Sequence, residues 1–219
     1  MYKISELLDL SHTIAAPLFE GKDYPWEVLG GIKEFILTLG HALSPEEFDS
    51  PEEGVWIAKD AKVFTSAYIG APCIIDHGAE VRHCAFIRGS AIVGKNCVVG
   101  NSVELKTAVH FDSVQVPHYN YVGDSVLGYK SHMGAGSITS NVKSDKTLVV
   151  VKNGPELLET GLKKFGAILG DHVEVGCNSV LNPGTVLGRE VSVYPTSSVR
   201  GVVPAGCIFK GEGNIVKRS

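Results

Sequence analysis

The sequence has no CxxC pair, no apolar stretch near the roughly 18 residues of a membrane span, and no excess of one charge sign. Its five cysteines (Cys73, Cys84, Cys97, Cys177 and Cys207) are an odd set without metal-ligand spacing. A disulfide framework and a zinc knuckle are therefore both disfavoured, and reduced thiols in a cytosolic protein are expected. Lys and Arg total 20 against 24 Asp and Glu, for a formal net charge of −4. Nothing in that balance points to nucleic acid or to an anionic membrane, so any bound anion must be caught by local groups. No basic segment followed by a long apolar run opens the chain, and a soluble cytoplasmic protein is the expectation. At 219 residues the chain suits one large domain with a core that needs neither metal nor disulfide.

What the sequence does have is a repeat. Every sixth residue from Ile57 to Phe111 is apolar and mostly large: Ile57, Val63, Ile69, Ile75, Val81, Ile87, Val93, Val99, Leu105, Phe111. Every sixth residue from Ala61 to Val109 is small or β-branched, Cys73 and Cys97 among them. Both series resume later, the large one from Leu169 to Val199. Between the two blocks the register continues through Val116, Val122, Leu127 and Met133 with one five-residue step.

A period of six matches neither a 3.6-residue helix nor a simple alternating strand. It matches a short strand and a turn, three of which close one triangular coil of about 18 residues. The expected fold is an all-β solenoid, a left-handed parallel β-helix. An ordinary sandwich would repeat every 8–12 residues.

Residues 1–50 lack the repeat. Ser5–Leu10 and Trp26–Leu39 read as helices, with Val28, Ile32, Phe35, Ile36 and Leu39 on one face of the second. They are expected to form a helical cap over the open end of the solenoid. The β-helix domain is expected over residues 51–219, with residues 152–167 as a loop ejected from one corner.

Two segments depart from a purely structural repeat: VGNSVELKTAVH (99–110) and PHYNYVGDSVLGYKSHMGAGSITSN (117–141). Together with TGLKKFGAILGDHVEVG, they resemble the C-terminal acetyltransferase domain of the bifunctional glucosamine-1-phosphate acetyltransferase/N-acetylglucosamine-1-phosphate uridylyltransferase. The stand-alone and archaeal-type relatives are closer still. The resemblance covers roughly residues 85–200. It implies a homotrimer with sites between subunits, acetyl-CoA as acyl donor and an amino-sugar phosphate as acceptor.

The resemblance also implies roles for individual residues. Arg88 and Lys106 match a phosphate-binding pair; they lie 18 residues apart, one full coil, so two cations would stack on one face. His118 matches the catalytic base, Tyr121 and Asn141 match residues that hold the sugar, and Lys146 lies near a lysine of the sugar site. Ala135 matches a residue whose backbone contacts the coenzyme, with Cys177, Pro195 and Lys210 on the donor side. The chemistry is coherent. An ammonium must lose a proton before it attacks a thioester, an imidazole of ordinary pKa can take it, and a Gly-Ala-Gly backbone can offer N–H groups to an oxyanion.

Four positions depart from the family. His132 replaces an Asn, Cys177 a Ser and Pro195 an Ala, while Lys210 loosely substitutes for an Arg. The uridylyltransferase half has no counterpart in residues 1–50. An alternative reading is a sugar-phosphate-binding or assembly subunit that kept the fold without the chemistry. A metal-dependent hydratase similar to the γ-class carbonic anhydrases, which share this solenoid, would imply a three-His zinc site with two His five residues apart; no two His here have that spacing, and His77 and His83 are six apart.

Overall fold

The computed structural model of the chain describes residues 1–218. Residues 55–211 wind into a three-faced prism of parallel strands, a left-handed β-helix. The first face stacks Val55–Ala58, Cys73–Ile75, Ala91–Val93, the second halves of Glu104–His110 and Tyr121–Leu127, then Ala167–Leu169, Thr185–Leu187 and Val202–Val203. The second runs from Lys62–Val63 through Glu80–Val81, Val98–Asn101, Gln115–His118, His132–Met133, Glu174–Val175 and Ser192–Val193 to Cys207–Gly211. The third comprises Tyr68–Ile69, Phe86–Ile87, the first halves of the two seven-residue strands, Ile138–Thr139, Val180–Leu181 and Ser198–Val199. Corner residues take the left-handed conformation at six-residue intervals, as at Cys84, Ser90, Asn96 and Ser102. Antiparallel partners cover the two end strands: Phe48–Glu52 on Val55–Ala58, and Asn214–Lys217 on Cys207–Gly211. Such pairing blunts edges that would otherwise recruit another chain.

The expected inward series holds up to Leu105 and then slips. His110, not Phe111, pairs in register with Val93 and Leu127, so a five-residue step falls between Leu105 and His110 as well as between Val122 and Leu127. His110 is fully buried in the prism, and neither ring nitrogen has a partner. Burial pushes its pKa down to about 3. Phe111 instead packs edge-on against Phe19 of the N-terminal segment.

The N-terminal segment is not an end cap. It lies lengthwise along the first face, running from the last coil back to the first. The Ala205 amide donates to Tyr2 Oη at 2.8 Å, and Asp9 N donates to Asp171 Oδ2 at 2.8 Å. His12 stacks on Tyr129 and Trp26 on Phe165, while Gly40 sits so close to Trp56 that a Cβ there would stand 2.3 Å from the indole. The cause is the outward column of the first face: Trp56, Ile74, Ile92, Val109, Val126, Ile168, Val186 and Val202 are all apolar. Uncovered, that stripe would put apolar surface in water at a cost near 25 cal/mol per Å². Where one helix is expected over 26–39, Pro25–Gly31 forms a 3₁₀ segment and the α-helix spans Ile32–Ala42, with Gly30 and Gly31 at the junction.

The corner excursion is also wider than 152–167. The last third-face residue before it is Thr139, paired with Leu181, and the first face resumes at Ala167. Within it, Val150–Asn153 and Glu156–Glu159 form a hairpin. Val149, Val151 and Phe165 are fully buried, so apolar density continues in the sequence after coil pairing has stopped. No helix among the described residues is long and apolar enough to cross a membrane.

Candidate functional site

The expected site residues fall on the two edges of the third face. One edge follows the residue after each inward third-face position, which register makes Arg88, Lys106, Gly123, Ser140, Asn182 and Arg200. Arg88 Nη1 donates to Glu104 Oε1 at 2.8 Å, which raises the guanidinium pKa. Lys106 Nζ reaches Asp124 Oδ1 at 3.1 Å and Oδ2 at 3.2 Å, and Asp124 is buried. Asn141 Nδ2 donates to Tyr121 Oη at 3.1 Å and also to Asp124 Oδ2. Burial raises the Tyr121 phenol pKa, with the carboxylates of Asp124 and Glu104 adding to the shift. Tyr121 crosses its own strand to reach this cluster. A Cβ at Gly123 would stand 2.4 Å from Tyr121 Oη, so glycine is what lets the phenol lie there. The structure therefore brings Arg88, Lys106, Tyr121 and Asn141 together and adds Glu104 and Asp124 as their carboxylate partners.

The other edge carries His118, Ala135, Cys177 and Pro195, one above another in register with Asn101. His118 is exposed, and its imidazole has no hydrogen-bond partner among the described residues. Its backbone is tightly held. His118 N donates to Asn120 Oδ1 at 3.2 Å, and Gly136 N donates to the His118 carbonyl at 3.0 Å. The buried Asn120 amide in turn donates to Gly134 O at 2.8 Å and Ser137 O at 3.0 Å. Asn120 thus ties the His118 turn to the Gly-Ala-Gly turn below it. Gly134 N is spent on Val175 O, and among the described residues the Ala135 N–H is left without an acceptor. Cys177 is exposed, with its Sγ 3.0 Å from where a Gly134 Cβ would be.

Two expected residues stand apart. Lys146 lies in the exposed excursion, in a left-handed conformation, and makes no side-chain bond to the Tyr121–Asn141 cluster. Lys210 rests over the Tyr194 ring at 5.6 Å. His132, the family departure, pairs with Glu174 at 2.8 Å. No group of three or more His, Cys, Asp or Glu among the described residues is placed to hold a metal.

The model of the GMPPB C-terminal domain matches residues 69–191, more than half of the chain and nearly all of both edges. The chain belongs to that family. A bifunctional sugar-1-phosphate nucleotidylyltransferase/acetyltransferase of Sulfurisphaera tokodaii is 33% identical over 189 residues, covering 85% of this chain and 47% of the relative. The bifunctional protein GlmU of Methanococcus maripaludis is 33% identical over 167 residues, covering 75% of this chain and 40% of the relative. The chain thus spans about half the length of these relatives. Among solved structures, the acetyltransferase domain of PglB from Neisseria gonorrhoeae, in complex with acetyl coenzyme A, is 16% identical with a TM-score of 0.33, covering 83% of this chain and 76% of that one. The family resemblance read from the 99–141 motifs is therefore upheld.

Proposed function

We propose that the chain is an acetyl-CoA-dependent N-acetyltransferase acting on an amino-sugar phosphate such as glucosamine-1-phosphate. The observation that carries this reading is the pairing of edges: a phosphate-competent cation pair, Arg88 and Lys106, on one side of the third face, and an uncommitted imidazole, His118, on the other. The acceptor would lie across the face with its phosphate on the cations and its amine toward His118. Tyr121 and Asn141 stand between as hydrogen-bonding groups for sugar hydroxyls.

His118 takes a proton from the ammonium, and the freed amine attacks the thioester carbonyl carbon. The Ala135 N–H is the donor free to meet the oxyanion that forms. Collapse expels the coenzyme thiolate while the nitrogen sheds its second proton to give the neutral amide; of the two protons released, His118 passes one to the thiolate and the other goes to water. The coenzyme would run down the column of Ala135, Cys177 and Pro195, with Lys210 toward its diphosphate. The carboxylates of Glu104 and Asp124 hold the two cations in place before the phosphate arrives, as preorganisation requires.

A homotrimer follows from the family reading and is supported by the third face of the first coils. Tyr68 (61% exposed) and Phe86 (43% exposed) meet there with tilted rings, centroids 5.5 Å apart, an apolar patch that a second copy would cover. Light scattering tests that assembly. The catalytic reading is tested by release of free thiol from acetyl-CoA with glucosamine-1-phosphate and with galactosamine-1-phosphate. Acceptor-dependent release supports transfer and ranks the acceptors. A folded protein that binds the sugar phosphate without releasing thiol is instead the binding or assembly subunit.

A further inference from the structure

The cationic edge of the third face does not end at the Tyr121–Asn141 cluster. It continues through Ser140 and Asn182 to Arg200, and there the excursion hairpin closes over it to make a pocket of about 450 Å³. Lys152 from the hairpin, Lys143 from the excursion and Arg200 from the prism all line it. Lys143 pairs with Asp145 at 3.4 Å, and the Asp145 carboxylate also accepts from the Thr147 amide and hydroxyl. Lys152 and Arg200 make no ion pair and no side-chain hydrogen bond among the described residues. This contrasts with Arg88 and Lys106, which each hold a carboxylate. The pocket therefore carries an uncompensated charge of about two.

The fold builds this pocket. Gly201 has φ +73°, and a Cβ there would stand 2.5 Å from the Lys152 carbonyl, so glycine is what lets the hairpin strand lie on the corner. A Cβ at Gly184 would likewise meet Val149 at 2.8 Å and Val150 O at 3.1 Å. Ser144 supplies an uncharged hydrogen-bonding group beside the cations, while the Asn182 amide is spent on Ser198 Oγ and the Val199 carbonyl.

Register fixes the pocket's distance from the first cation pair. Lys106 and Arg200 are four coil steps apart, roughly 19 Å at about 4.8 Å per step. A sugar 1-phosphate spans far less than that. We propose that this pocket is a second anion site, which takes a phosphate group of a nucleotide-bearing ligand. Two sources share that chemistry: the nucleotide head of a coenzyme lying along the third face, and the diphosphate of a nucleotide-linked amino sugar. The Arg guanidinium supplies planar bidentate donors and the lysine a mobile point charge, a pairing suited to a phosphate monoester or diphosphate.

The test is calorimetric titration of the full chain with adenosine 3′,5′-bisphosphate, with UDP and with inorganic phosphate. It reads binding alone, so an absence of acetyl transfer leaves its result standing. At least one nucleotide should bind. Lys152→Gln and Arg200→Gln should each weaken it several-fold and the double variant at least ten-fold, while Arg88→Ala changes it less than two-fold. Both replaced side chains are exposed, and a melting temperature unchanged by the substitutions confirms that the fold is intact. Preference for adenosine 3′,5′-bisphosphate assigns the pocket to the coenzyme, and preference for UDP assigns it to a nucleotide-linked acceptor. The proposal is overturned if neither nucleotide binds, if only inorganic phosphate does, or if the double variant binds as tightly as the wild type.

Discussion

The two edges of the third face differ in how far a single chain finishes them. Where Arg88 and Lys106 stand on one edge, each cation already has a carboxylate partner, and Asp124 is buried beneath Lys106 and Asn141. On the His118 edge the backbone is pinned by Asn120, yet the imidazole, the Ala135 amide and the Cys177 thiol all face outward without partners. On the proposed reading, one edge is a preformed receptor for a small anion. The other is a bare rail, which on the same reading the donor or another copy of the chain would cover. Binding and chemistry are therefore separable by mutation.

The largest expected effect is on the bare edge. His118→Ala should lower kcat about 10³-fold, within the 10²–10⁴ range for a positioned base, with acceptor binding by calorimetry unchanged. Retained turnover would remove His118 from the mechanism and with it the contrast between the edges. Next comes Asp124→Asn, which replaces the carboxylate under Lys106 with an amide whose N–H₂ opposes two donors. It should lower kcat/KM about 10–100-fold, mostly through KM, and cost roughly 2–3 kcal/mol of stability in denaturant melts. An unchanged KM would mean that the preformed edge is not the acceptor's anchor.

A third effect concerns stability against pH rather than turnover. His110 has a pKa near 3 when folded and about 6.5 when unfolded, so below pH 6.5 the unfolded chain takes up a proton that the folded chain excludes. Stability from this group is complete above pH 6.5 and drains as pH falls toward 3, by on the order of 5 kcal/mol in all. His110→Leu should remove that component, so the wild-type and variant urea midpoints diverge between pH 6 and 4. Parallel pH curves would show that His110 finds a partner. An activity profile recorded in the Leu variant then reports the exposed edge without acid unfolding beneath it.

The sequence made the inward half of the prism legible because hexad spacing records only which residues point inside. It hid the N-terminal strap for the same reason. The apolar signal that holds it sits at outward positions of one face only, visible as Trp56, Ile74, Ile92, Val109 and Val126 at coil rather than hexad spacing. The slip at His110 arose because the coil there has 17 residues, and Phe111 was apolar enough to pass as the inward residue. Arg88 and Lys106 were legible as one coil apart. Glu104, Asp124 and Asn120 were not, since carboxylates beside a phosphate site look misplaced until strand register shows them seating the cations. Asn120 donates to backbone and hydroxyl groups of a turn 14–17 residues on, a relation that no local spacing encodes.

The central claim is that the preformed edge reads the acceptor's phosphate. It is tested by the ratio of kcat/KM for glucosamine-1-phosphate to that for glucosamine, compared between wild type and Arg88→Ala. A ratio that falls at least ten-fold in the variant, with glucosamine turnover little changed, is the predicted result. Equal losses for both acceptors would contradict the claim and leave Arg88 as a surface partner of Glu104.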